Sequence, residues 1–169
     1  MLCRAYRRQY NCDYISAMPK NLYGPYDNFD LYSSHVIPAL IAKTHRAKID
    51  KSGDVVVWGN GKPRREFMYV DDLADALVFL LKHYSAEDHI NIGVGYDITI
   101  RELAEAIASA VGVQGRLQFD TMKSDGSPQK LMDSSRLLAM GWRPKTTLQQ
   151  GLEMTYAWYV EHVANRKAS

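Results

Sequence analysis

The residues most suggestive of chemistry are polar ones standing where a plain scaffold does not require them. Asn21-Leu22-Tyr23-Gly24-Pro25 follows directly on a predicted strand end, and open α/β sheets hold ligands at the carboxyl ends of their strands. His35 falls at the mouth of the next predicted helix, where an imidazole can face the same crevice. Lys43 lies further along that helix, about 80° round it and roughly 12 Å along it, so the two can touch opposite ends of one long ligand. Trp58 beside a turn and Arg64-Arg65 at a strand edge offer an aromatic plate and a cation. That pairing suits a nucleotide, with a guanidinium forking onto diphosphate oxygens and an indole packed on a sugar or base. Asp125, in the loop before Gly126, can accept hydrogen bonds from ribose hydroxyls. Taken singly, each has an ordinary role: a helix-start His as a cap or core residue, Lys43 on the surface, Trp58 in the core, Asp125 in a turn. Their weight comes from occurring together.

Other familiar signals fail. Gly93-Val94-Gly95 stands between a predicted strand and helix, but the third glycine position of a dinucleotide fingerprint holds Ile98 and the helix opens later, at Thr99. No pair among His35, His45, His83, His89 and His162 has short metal-ligand spacing, so no metal site is expected. There is no Gly-x-Ser-x-Gly elbow.

The elements that must position these residues alternate. Leu2, Ala5, Tyr6 and Tyr10 have helical spacing from the first residue, with no N-cap ahead of them. Tyr14 to Met18 reads as a short buried strand ended by Pro19, and Asn21 to Asn28 as an ordered loop. Ser33 or Ser34 is the expected cap of a helix with Pro38 in its first turn and a stripe of Val36, Ile37, Leu40, Ile41 and Thr44. Val55 to Trp58 is a strand, and the Gly59-Asn60-Gly61 turn leads to another over Glu66 to Val70. Asp71 or Asp72 is the expected cap of a helix burying Leu73, Ala76, Leu77, Leu80 and Leu81. Ile90 to Ile92 is a strand, and Thr99 with Glu102 forms a capping box for a helix burying Leu103, Ile107, Ala110 and Val111. Leu117 to Phe119 is a strand, a loop spans 121–130, and a short helix ends at Gly141. Thr147 and Gln150 cap a last helix carrying Leu148, Leu152, Tyr156, Tyr159 and Val163. Strands alternating with helices, without repeats or flexible linkers, give an α/β class.

Composition sets the outer bounds. One ordinary domain is expected of 169 residues, 46% of them hydrophobic. A net charge of +2 is too small to argue for nucleic acid, and the cluster Arg4, Arg7, Arg8 reads as a solvated helix face. No apolar run approaches the ~20 residues that cross a bilayer, and the basic first ten residues lack the apolar core of a signal peptide. Cys3 and Cys12 need no oxidising compartment, so no membrane partner and a cytoplasmic location are expected.

From Leu2 almost to its end, the chain resembles the GDP-L-fucose synthase family, extended short-chain dehydrogenase/reductases of the NAD-dependent epimerase/dehydratase group. The stretches that carry the resemblance are Met18 to Phe29 (MPKNLYGPYDNF), Ser34 to Leu40 (SHVIPAL), Val55 to Gly59 (VVVWG), Arg65-Glu66-Phe67 through Val70-Asp71-Asp72, and Asp125 to Lys130 (DGSPQK). Asn-Leu-Tyr-Gly-Pro and Arg-x-Phe…Val-x-Asp are shared across nucleotide-sugar epimerases and dehydratases. Ser-His-Val-Ile-Pro-Ala-Leu and the Trp-Gly and Asp-Gly-Ser-Pro contexts are more particular to the fucose synthase branch.

The resemblance implies the carboxy-terminal remnant of a doubly wound Rossmann domain plus a small α/β substrate-binding domain. Residues 1–30 would be the terminal helix, strand and loop of the Rossmann domain, and 31–169 the substrate domain, with some segments free to return to the Rossmann sheet. The family converts GDP-4-keto-6-deoxy-D-mannose to GDP-L-fucose by 3,5-epimerisation and NADPH-dependent 4-reduction. His35 matches its proton donor and a cofactor contact; Pro19, Lys20, Asn21 and Leu22 match the segment beside the nicotinamide of NADP. Lys43, Trp58, Arg65 and Asp125 match the GDP-sugar contacts, and Lys20 departs from the family pattern in its segment. A homodimer is implied for the full-length family. The Gly-rich dinucleotide loop, the Ser and Cys active-site residues and the Tyr-x-x-x-Lys pair all lie upstream of the matched stretch. None of the eleven tyrosines here has a lysine four residues on. The expectation is therefore an incomplete chain (a truncated gene, a misassigned start or a cloned fragment) that is inactive by itself. The alternatives are another GDP- or UDP-sugar epimerase or dehydratase, or a non-catalytic binding or regulatory partner of a separate Rossmann chain.

Overall fold

The structure is a computed structural model, and it describes residues 1–165; residues 166–169 of the expected substrate domain lie outside the described residues. The helices are α1 (Leu2–Tyr10), α2 (Val36–Ile49), α3 (Val70–His83), α4 (Ile100–Val111), α5 (Ser135–Ala139) and α6 (Leu148–Tyr159), the last passing into a π-helical turn at Val160–Ala164. The strands are β1 (Ala17–Pro19), β2 (Asn21–Tyr23), β3 (Val55–Trp58), β4 (Arg64–Arg65), β5 (Phe67–Tyr69), β6 (Ile90–Ile92), β7 (Ile98–Thr99), β8 (Leu117–Asp120) and β9 (Gln129–Lys130). Three parallel pairs form: β1 with β6, β2 with β5, and β3 with β8. In a fourth sheet β4 runs antiparallel to β7 and parallel to β9. The class is mixed α/β with parallel pairing, as the alternation predicts.

Apolar side chains gather in two cores. One joins α2, α4 and α6 to β3 and β5, with Ile37, Leu40, Ile41, Leu103, Ile107, Leu152 and Tyr159 buried. The other joins β6, α3 and α5 through Leu80, Ile90, Ile92, Leu137 and Trp142, and Ala17 of β1 packs on it. Burying such a side chain is worth roughly 1.5–3 kcal/mol, so the two clusters account for which helix faces turn inward. Both capping boxes form: Thr99 with Glu102 on α4 and Thr147 with Gln150 on α6. Helix α1 has no side-chain cap and buries none of its residues. Its three arginines pair with carboxylates, Arg4 with Asp88, Arg7 with Asp13 and Arg8 with Glu87, where plain solvation was expected.

Several boundaries differ from the sequence reading. The first strand runs over Ala17–Pro19 and not Tyr14 to Met18. Ser16 O accepts from Ile90 N at 2.9 Å, and in a parallel ladder alternate residues bond to one side, so Pro19 turns its missing N–H to the unpaired edge. The expected loop at Asn21 begins as strand β2, because Asn21 to Tyr23 find partners in β5. The strand expected over Glu66 to Val70 is confined to Phe67–Tyr69: Glu66 divides β4 from β5, and Val70 opens α3. The Glu66 carboxylate is fully buried and accepts from Gly95 N at 2.9 Å and Met132 N at 3.4 Å, and the chain changes sheets around it. Gly93-Val94-Gly95 thus serves this carboxylate: a Cβ on Gly93 would overlap both Glu66 and Ser134.

Neither Ser33 nor Ser34 caps α2, whose N-cap is His35; neither Asp71 nor Asp72 caps α3, whose N-cap is Tyr69. Asp72 instead accepts from Lys145 N (3.0 Å) and Thr146 N (3.1 Å), tying the chain before α6 to α3. On α3, Ala76 and Leu80 are buried, but Leu77 and Leu81 remain 38% and 75% exposed. The loop expected over 121–130 ends in strand β9, paired with β4.

Candidate functional site

One cleft of about 910 Å³ collects the polar residues singled out in the sequence, a volume in the range of small-molecule sites. Pro19, Lys20, Asn21, Leu22, His35, Lys43, Trp58, Arg65 and Asp125 all line it. They arrive from the ends of β1 and β2, the start and middle of α2, the end of β3, β4, and the 121–128 segment.

On one side, Asn21 Nδ2 donates to Glu66 O at 2.8 Å, fixing the β1–β2 step against β5. Gly24 follows where a Cβ would overlap the Val70 side chain, so a larger residue is excluded from this close approach. Tyr26 takes a left-handed φ of 65° and lays its ring 4.9 Å from that of Trp158. The segment leading to α2 is held by its own side chains. Asp30 Oδ1 accepts from Tyr32 N, Ser33 N and Ser33 Oγ at 2.9–3.0 Å, and Asn28 Nδ2 donates to Ser33 Oγ at 3.0 Å. Ser33 therefore anchors the approach to the helix without capping it, and His35 arrives exposed at the N-cap. Asp27 lines the same rim. Burial pushes its carboxyl above the usual carboxylate range, opposed by the Asn28 amide and by the charge of His35.

On the other side, Val55 and Val57 are buried while Val56 and Trp58 face out, so strand alternation delivers the indole to the cleft. Lys43 Nζ donates to Val56 O at 3.2 Å and stands 4.6 Å from the Trp58 ring centroid. Burial pushes the Lys43 ammonium's pKa down, with Asp120 opposing. The two arginines of β4 divide by the same alternation. Arg64 is committed to Asp97, with Nε to Oδ1 at 2.7 Å and Nη2 to the main-chain O at 2.8 Å. Arg65 makes only a 2.7 Å bond from Nη1 to Arg64 O and faces the cleft. Asp125 accepts from Asn60 N at 2.7 Å through Oδ1. A Cβ on Gly59 (φ 83°) would overlap that carboxylate, so the glycine lets the turn and Asp125 close on each other.

Among the cleft residues that the sequence reading did not assign to the site is Asp27. Asp27 lies inside the quoted Met18 to Phe29 stretch, so its neighbourhood was legible although its place beside His35 was not. Among the described residues there is no group of three or more His, Cys, Asp or Glu arranged to hold a metal ion, and no helix long and apolar enough to cross a membrane.

The chain is similar to known proteins over nearly its whole length. The NAD dependent epimerase/dehydratase family profile matches residues 1–93. A GDP-L-fucose synthase of Sinorhizobium fredii is 57% identical over 164 residues, covering 97% of this chain and 52% of that protein. GDP-L-fucose synthase 1 of Arabidopsis thaliana is 56% identical over 164 residues, covering 97% of this chain and 51% of that protein. The solved GDP-L-fucose synthetase of Naegleria fowleri bound to NADP superimposes with a TM-score of 0.90 at 32% identity, over 97% of this chain and 53% of that one. The chain spans about half the length of the curated relatives it matches.

Proposed function

The chain belongs to the NAD dependent epimerase/dehydratase family, and on that premise we propose that it is the substrate-binding part of a GDP-L-fucose synthase-like enzyme. The observation that carries this reading is the convergence of His35, Lys43, Trp58, Arg65 and Asp125, from separate elements, on one cleft. The substrate is GDP-4-keto-6-deoxy-D-mannose, epimerised at C3 and C5 and then reduced at C4. Protons beside a ketone are acidic because the enolate spreads its charge onto oxygen, which puts them within reach of side-chain acid/base chemistry. His35, exposed at the cleft rim, returns the proton on the new face of the carbon. Arg65, without a carboxylate partner among the described residues, and Lys43, partly desolvated, take the diphosphate; Trp58 packs on the nucleoside and Asp125 receives ribose hydroxyls.

Pro19, Lys20, Asn21 and Leu22 line the same cleft as His35, and on this reading they bound the nicotinamide end of NADP. NADPH, when bound, supplies the hydride for C4. This chain's own part is to bound the nicotinamide's slot through a step held rigid by the Asn21 to Glu66 hydrogen bond. The sequence holds no Tyr-x-x-x-Lys pair, so the proton that accompanies the hydride has to come from the other half of the enzyme, and the chain alone is inactive. Residues 1–30 belong with that half's Rossmann sheet and 31–169 form the substrate domain. The packing of Ala17 on the core around β6, α3 and α5 supports assigning those segments to the part that returns to the sheet. Calorimetric titration with GDP and UDP tests the nucleotide assignment. Tighter binding of GDP is expected; equal affinity, or preference for UDP, contradicts it.

A further inference from the structure

Beyond the residues already assigned, the Trp58 indole has a second cation. Past β8 the chain turns back on itself: Lys123 N donates to Asp120 O at 3.2 Å and Met122 N to Asp120 Oδ1 at 3.1 Å. The turn brings Lys123 Nζ to 5.2 Å from the Trp58 ring centroid, while Lys43 Nζ approaches the same ring from α2 at 4.6 Å. The two ammonium groups are therefore no more than about 10 Å apart. A half-exposed indole attracts each of them weakly, on the order of 0.5–1 kcal/mol, and their mutual repulsion opposes the arrangement. Neither lysine, nor Arg65, forms an ion pair with a carboxylate among the described residues, whereas Arg64, next to Arg65 in β4, does. Of the nearby carboxylates, Asp120 accepts from Met122 N and Asp125 from Asn60 N, each through Oδ1, and neither forms an ion pair with the two lysines among the described residues. Ser124 and Asp125, next along the same turn, line the cleft. Two ammonium groups over one aromatic plate, neither of them ion-paired among the described residues and with the Asp120 charge acting on Lys43 only against its desolvation, leave an excess of positive charge that suits a multiply charged anion.

We propose that Lys123 is a further binding residue of this cleft, closing over Trp58 from the 121–128 turn to hold, with Lys43 and Arg65, the diphosphate of a bound nucleotide sugar. The proposal rests on the nucleotide-sugar reading for the site, but the diphosphate contact is indifferent to the base. Lys43 is already partly desolvated, so an anion between the two ammonium groups relieves both charges at once.

The test is titration of the full chain with GDP, UDP and inorganic pyrophosphate, comparing wild type, Lys123→Gln, Lys123→Arg and Lys82→Gln. Lys82, exposed on α3, removes the same charge far from the cleft sequence segments. Lys123→Gln is expected to weaken all three ligands by a common factor of about three to ten, the scale of a partly exposed charged contact. Lys123→Arg should restore most of that loss and Lys82→Gln should cause none. If Lys123→Gln binds GDP as wild type does, or loses no more than Lys82→Gln, the proposal is overturned while the site assignment stands. If wild type prefers UDP but the common factor persists, the guanine assignment fails and Lys123 stands. If wild type binds none of the three ligands, both are overturned.

Discussion

Arg64 and Arg65 are neighbours with one side chain in common and two different fates, which makes them a sharp test of the residue assignments. Arg65 faces the cleft with no carboxylate partner among the described residues, whereas Arg64 is held by Asp97. Arg65→Ala should cost on the order of 1.5–3 kcal/mol of GDP affinity, the range for a hydrogen bond to a charged group, or about tenfold to a hundredfold. Arg64→Ala should leave GDP affinity nearly unchanged and appear as lost stability, because Asp97 keeps its burial and loses its cation. Equal losses of affinity in the two variants, measured by calorimetry, contradict the division. The opposite orientations were legible in the sequence from strand alternation alone. What the sequence did not carry was Asp97 as the partner that removes Arg64 from the site: it is brought there by pairing of β4 with β7, a contact between segments 33 residues apart. The burial of Glu66 was illegible for the same reason, since its partners Gly95 and Met132 lie on two later segments.

At the scale of elements, the best-read features were local and the misread ones were not. The Thr99/Glu102 and Thr147/Gln150 boxes are written within four residues and both form. Ser33, Asp71 and Asp72 have the right chemistry for caps, but a tertiary partner outcompetes the helix end in the case of Asp72, and local turns engage Ser33. Thr99→Ala should therefore cost about 1 kcal/mol, the usual loss for an N-cap, read as a lower denaturant midpoint with an unchanged slope. The same box gives a pH prediction. Hydrogen bonds from the Thr99 amide and hydroxyl hold the Glu102 carboxyl below its usual range. A carboxyl depressed in the folded state binds more protons when unfolded, so its contribution is present above the unfolded value and is lost as pH falls through the folded one. Acid should thus lower the stability of the wild type, and Thr99→Ala should lose less of its own on going from pH 7 to pH 3. A stability difference between the two proteins that stays constant across that range contradicts this.

For the molecule as a whole, exposed large apolar side chains occur along the described chain, and α1 and α3 carry several of them. Leu2, Tyr6 and Tyr10 of α1 are 42–72% exposed, and Leu77 and Leu81 of α3 also face out. Each such side chain is worth roughly 1.5–3 kcal/mol when buried, and together they are a large part of a typical margin of about 5–15 kcal/mol. The chain alone should self-associate through this surface; light scattering that shows a clean monomer with a sharp, high melting transition would count against it. The periodicity of Leu2, Tyr6 and Tyr10 made that helix legible, but only the packed structure shows that none of its residues is buried. The central claim, that this cleft is half of a GDP-L-fucose synthase-like active site, is tested most directly by completing it. The measurement is made on a fusion of the amino-terminal half of the Arabidopsis relative to this chain, shown to be folded by NADPH binding and supplied with GDP-4-keto-6-deoxy-D-mannose in deuterated water. The account predicts substrate-dependent NADPH oxidation with deuterium at C3 and C5, and depressed incorporation in His35→Ala at nearly unchanged GDP affinity. A folded fusion that binds NADPH and GDP but neither oxidises the one nor exchanges protons on the sugar, or a His35→Ala variant that exchanges at the wild-type rate, would contradict it.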